Sequence, residues 1–136
     1  MTGETGEDAS AKRLTLAAYT TPREAYGEIL PVFAEEWRLQ TGQTVGFEES
    51  YLGSGAQSRS VVGGFEADVV ALSLAADVDR IAEAGLITHD WSAGPYGGMV
   101  STSVVVIAVR PGNPLGIRDW SDLARPGLQI LTPDPK

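Results

Sequence analysis

The chain has 136 residues, 43% hydrophobic and 21% charged, with 16 Gly, 8 Pro and no Cys. That length suits one ordinary domain with a sizeable core. Eighteen acidic residues against ten basic ones give a net charge of −8, which argues against a nucleic-acid or anionic-membrane surface, since both need clustered Lys and Arg. No apolar run approaches the roughly 20 residues of a membrane span. The lack of Cys removes disulfides, thiolate metal sites and a Cys nucleophile, and the single His, His89, removes most zinc and triad chemistry.

Residues 1–13 are expected to form a disordered tail, because the stretch up to Ala11 is built of small and acidic residues without apolar periodicity. It has neither the basic start nor the apolar centre of a signal peptide. Leu14 to Tyr19 is a short apolar strand. Thr21-Pro22-Arg23-Glu24 then predicts a helix start, with Thr21 as N-cap, Pro22 at the first helical position and Glu24 closing a capping box. Tyr26, Ile29, Leu30, Phe33 and Trp37 recur at helical spacing, and Gly42 supplies a left-handed end. Pro31 lies inside this pattern, where it would kink or break the helix.

Val45 to Ser50 is a second strand. Leu52 to Gln57 leads into a short helix over Ser58 to Val62, ended by Gly63-Gly64. Ala67 to Leu72 is a buried-strand run, and Ala76 to Ala84 a helix closed by Gly85. Ser101 to Arg110, rich in Val and Ile, is the strongest strand candidate, broken by Pro111-Gly112-Asn113-Pro114. A short helix over Asp119 to Leu123 and a strand over Leu128 to Thr132 complete the pattern. Helices alternating with strands imply βαβ crossovers and a mostly parallel sheet.

In such sheets ligands bind beyond the carboxyl ends of the strands. Two junctions qualify, Tyr19-Thr20-Thr21 and Gly53-Ser54-Gly55. Glycines admit close backbone approach, first-turn N–H groups point at the ligand, and Ser54 adds a hydroxyl donor. Together they suit a small oxyanion. The plainer reading of Gly53-Ser54-Gly55 is a turn with a Ser N-cap. Its spacing matches neither a P-loop nor a dinucleotide fingerprint. His89-Asp90 is a surface pair, Asp77, Asp79 and Glu83 read as a solvated acidic face, and Glu35-Glu36 point apart on their helix. The three tryptophans are read as core or edge packing. No nucleophile–base pair is visible, so no catalytic residue, metal ligand or cofactor is expected.

Colinear segments carry a further signal: Tyr19 with Arg23-Glu24; Gly53-Ser54-Gly55 with Gln57; Glu66-Ala67-Asp68-Val69-Val70; Leu74-Ala75 with Asp77-Val78-Asp79; Ala84-Gly85; Val109-Arg110 with Gly112-Asn113-Pro114; Asp119-Trp120 with Asp122-Leu123; and Thr132-Pro133 with Pro135-Lys136. Over about nine-tenths of the chain they resemble the sulfate/thiosulfate-binding proteins of bacterial ABC importers, which have the type II periplasmic-binding-protein fold. The resemblance implies a three-layer α/β lobe, incomplete here, with residues 14–136 as the N-terminal lobe up to the crossover into a second lobe. It also implies a periplasmic or extracytoplasmic binding protein, monomeric, handing its anion to ABC permease subunits, with no nucleic-acid partner and no catalysis.

In that family a dehydrated sulfate dianion is held by backbone N–H groups at helix N-termini and by neutral donors, without a Lys or Arg salt bridge. The carried-over contacts fall at Ser54, flanked by Gly53 and Gly55, and at Thr20 or Thr21. Thr20 and Thr21 depart from the family's usual Asp-Pro-Thr-Arg-Glu run, and a Thr there disfavours protonated oxyanions. The family's Ser-Gly-Gly loop would follow Lys136, so the chain alone is expected to bind sulfate weakly or not at all. Molybdate, phosphate or an organic anion is the alternative ligand, and an enzyme or sensor domain is the alternative use of the fold.

Overall fold

The computed structural model describes residues 12–132. In chain order these form β1 (Lys12–Tyr19), α1 (Arg23–Thr41), β2 (Val45–Leu52), α2 (Ser54–Val62), β3 (Val69–Ala71), α3 (Ala75–Glu83) and a 3-10 helix (Trp120–Ala124). The three strands are parallel, in the order β2-β1-β3. The tail expected over residues 1–13 lies outside the described residues up to residue 11, while Lys12 and Arg13 belong to β1, opposite Val45 and Gly46.

The pleat sorts β1 onto two faces. Ala17 lies opposite Ser50 and Val70 and packs with Val61 of α2 and Ile81 of α3. Leu14 lies opposite Phe47, which meets Phe33 of α1 edge-on at 6.0 Å. Helix α1 therefore covers one face and α2 with α3 the other, giving the expected three-layer arrangement. Ala17 and Ala18 are wholly buried, and such small side chains let helices lie close to the central strand.

Helix α1 runs through Pro31 as one helix and ends at Gly42, whose φ of 72° is the left-handed end the sequence predicts. Its start differs. Pro22 is the N-cap and no side chain caps the helix, so neither the Thr21 cap nor the Glu24 capping box forms. Strand β3 is shorter than the apolar run Ala67 to Leu72. Asp68 is taken up at its start, where its carboxylate accepts from Thr15 N–H at 2.8 Å and its own N–H donates to Thr15 O at 3.0 Å.

Two expected strands do not form. Ser101 to Arg110 has no regular structure, and Val104, Val105 and Val106 stand 72–84% exposed. Leu128 to Thr132 is also irregular. A strand needs a neighbouring ladder to satisfy its backbone, and among the described residues neither segment has one. Beyond the Pro111 turn, Asn113 donates to Ile117 O and accepts from Ile117 N–H. Asp119 and Asp122 form a reciprocal capping box on the 3-10 helix. Among the described residues no helix is long and apolar enough to cross a membrane.

Candidate functional site

The sheet register brings the two singled-out junctions to one rim. Tyr19 is paired with Leu52, so Thr20-Thr21 and Gly53-Ser54-Gly55 leave adjacent strands at the same carboxyl end. Ala18 is paired with Ala71, which brings Ser73 to that end as well. Thr20, Thr21 and Gly53 are exposed, while Ser54 and Gly55 are half-buried.

Helix α2 begins at Ser54, four residues before the expected Ser58, so Gly53-Ser54-Gly55 is the helix's own N-terminus. Gly53 has ordinary extended angles, and a methyl on Gly55 would lie 3.4 Å from Arg59 Nη1, which is normal contact. Neither glycine is demanded by a strained backbone. Their effect is to leave the first turn bare. The first intrahelical bond runs from Gln57 N–H to Gly53 O at 2.8 Å, so the N–H groups of Ser54, Gly55 and Ala56 have no carbonyl within the helix. At α1, Arg23 N–H turns back to Thr20 O at 3.3 Å and Tyr26 N–H to Pro22 O at 2.9 Å, leaving Glu24 and Ala25 N–H in the same condition.

The Ser54 hydroxyl, expected as a donor to a ligand, is instead spent inside the protein. It donates to Asp77 Oδ2 at 2.7 Å and accepts from Ser73 N–H at 3.0 Å. Asp77, read from sequence as part of a solvated acidic face, is 5% exposed. Its other oxygen accepts from Arg80 Nη1 at 2.8 Å, and its backbone carbonyl accepts from the Ser58 hydroxyl at 2.7 Å. Arg80 also reaches Ser58 Oγ at 3.2 Å. Burial opposes the Asp77 charge most strongly, but hydrogen bonds from Ser54 and Arg80 and the charges of Arg80 and Arg59 together outweigh it. The carboxyl is held below its ordinary range.

Sequence reasoning missed this network. Its trace was present: Ser54 and Ser58 share one helix face at i,i+4, as do Asp77 and Arg80 at i,i+3. The pairing of the two helices is nonlocal and left no local mark. Gln57 is fully buried, accepting weakly from Ser50 Oγ at 3.4 Å, and its Nε2 has no partner.

The other singled-out residues lie elsewhere. Asp90 accepts from Ser92 and Trp91 Nε1 donates to Asp79; Glu35 pairs with Arg38. Trp37 stacks on Phe33 while Trp120 is more than half exposed. Among the described residues no three His, Asp or Glu converge as metal ligands. A groove of ≈ 1490 Å³ follows the free edge of β3, lined by groups such as Val70, Leu72, Leu86 and Met99, and reaches Thr21 but not Gly53 to Gly55. The carboxylates of Glu66 and Asp68 in its lining do not suit an anion.

Parallel strands delivering loops and bare helix starts to one rim make an α/β unit of the class in which ligands bind beyond the carboxyl ends of strands. A family model described as bacterial extracellular solute-binding protein matches residues 14–136, and the chain belongs to that family, one of binding proteins rather than enzymes. It is 46% identical to the sulfate-binding protein of Synechococcus elongatus over 132 residues, covering 96% of this chain and 38% of that protein. With the sulfate-binding protein of a Synechocystis strain the identity is 44% over 135 residues, covering 98% and 38%. The structure of the sulfate-binding protein SubI from Mycobacterium tuberculosis superposes with a TM-score of 0.81 at 39% identity, over 91% of this chain and 42% of that one. The chain thus spans 38% of the length of these curated relatives.

Proposed function

We propose that the chain is the N-terminal lobe, residues 14–136, of an extracytoplasmic solute-binding protein that carries sulfate or thiosulfate to the permease subunits of an ABC importer as a monomer. It binds and does not catalyse. The dianion is held by backbone N–H groups at the starts of α2 and α1, at Gly53-Ser54-Gly55 and Thr20-Thr21, and no cofactor takes part.

The observation that carries this reading is the bare first turn of α2, in a chain resembling sulfate-binding proteins. Three N–H groups without intrahelical partners and the positive end of the helix dipole attract an anion locally. This resolves the conflict with a net charge of −8, because local dipoles rather than the net charge govern the site. In the whole protein a second lobe would close over the anion and strengthen each hydrogen bond by excluding water.

The test is a titration of the ¹⁵N-labelled chain with sulfate, followed by nuclear magnetic resonance up to concentrations on the order of tens of millimolar, where weak binding is visible. The expected result is saturable movement of the Ser54, Gly55 and Ala56 amide signals, exceeding that caused by chloride at equal ionic strength. Movement spread evenly over the surface, or equal movement with chloride, would contradict the reading.

A further inference from the structure

The Ser54 side chain is tied to two other segments. Its single hydroxyl proton goes to Asp77 at the start of α3, and its oxygen receives Ser73 N–H just beyond β3. Asp77 bridges onward through its second oxygen to Arg80, which also meets Ser58 one turn along α2. A carboxylate accepts from both partners at once and donates to neither. This linkage tethers the first turn of α2, through the Ser54 side chain, to the end of β3 and the start of α3. We propose that Asp77 is a positioning residue of the anion site: it holds the Ser54 hydroxyl, and through it aims the N–H groups of Ser54, Gly55 and Ala56 at the ligand. The inference rests on the anion-binding reading given above.

Removing Asp77 has two opposed consequences. It deletes a negative charge beside an anion site, which favours binding, and it frees Ser54, which weakens binding. Comparing Asp77→Asn with Asp77→Ala separates them, since both are neutral and only Asn retains an oxygen to accept the Ser54 hydroxyl. The experiment measures sulfate dissociation constants by the same amide titration for these two variants, each also with Ser54→Ala, and amide dispersion reports that each variant is folded. With Ser54 present, Asp77→Ala is expected to bind about fivefold more weakly than Asp77→Asn, the size of one net hydrogen bond. In the Ser54→Ala background the two are expected to be equal, because the group through which Asp77 acts is gone. A fivefold difference that persists without Ser54 would make Asp77 a purely structural residue and overturn the proposal, as would equal binding with Ser54 present. Absence of sulfate binding by the whole protein, with this lobe joined to its second lobe, would instead overturn the anion-binding reading itself.

Discussion

The described residues divide into two regions of contrasting order. From Lys12 to Ile87, three strands and three helices pack in layers, with Ala17, Val61 and Ile81 forming the core between the sheet and α2 with α3, and Val70, Leu72 and Ile87 against them. From Thr88 to Thr132, the only regular element among the described residues is the short 3-10 helix. The second region is not poorer in strand-forming residues. Its run Val104-Val105-Val106-Ile107 is more β-favourable than Leu16-Ala17-Ala18, yet the alanines are buried in a central strand while the valines face solvent. Propensity is realised only where a ladder and a packed face exist to receive it.

That contrast is open to direct attack by mutation. The largest expected effect is at Ile81, the largest fully buried side chain: Ile81→Ala should destabilise the fold by about 3 kcal/mol in a urea titration, through lost burial and an unfilled cavity. A loss below about 1 kcal/mol would mean the helix layer is not packed as described. Next comes Asp77, whose pKa is lowered in the folded state. Its contribution is therefore fully present above the ordinary value of 3.8 and disappears as pH falls through the lowered folded value. Asp77→Asn should flatten this part of the acid-unfolding profile, and an unchanged difference between pH 6 and pH 3 would deny Asp77 that role.

Smaller again is Gly85, at φ 77° just after α3, where its N–H meets Ala82 O and Leu86 N–H meets Ile81 O. Gly85→Ala forces a Cβ into the left-handed region and should cost about 1 kcal/mol by thermal denaturation. The smallest effect belongs to the second region. Val105 is 84% exposed, so Val105→Lys should change stability by no more than about 0.5 kcal/mol. A loss as large as that of Ile81→Ala would erase the distinction between the regions.

Much of the first region was legible in the sequence because its signals are local. Apolar runs punctuated by Gly42 and Gly85 mark element ends whose φ of 72° and 77° only glycine adopts cheaply. The alternation of strand and helix implied the parallel sheet. Local signals failed where a competitor or a distant partner decided. Thr21 matched a capping pattern, but Pro22 became the N-cap. Ser101 to Arg110 had the right residues but, among the described residues, no neighbour to pair with. The singled-out junctions do reach one rim, yet the group engaging the Ser54 hydroxyl is Asp77, 23 positions away. Nothing near Ser54 in the sequence announced it, and a buried carboxylate resembled a surface one until α3 was laid against α2.

The central claim is that the anion is held by backbone N–H groups at the start of α2, and Ser54→Pro against Ser54→Ala tests it most directly. Ser54 is the first helical residue, a position that proline tolerates, and Gly53 at φ −59°, ψ 143° already has the extended angles required before a proline. Both variants lose the hydroxyl, and only Ser54→Pro loses the N–H. Sulfate affinity followed by amide titration should fall about tenfold or more further in Ser54→Pro than in Ser54→Ala, the size of a charge-assisted hydrogen bond. Equal affinities in the two variants would contradict the account.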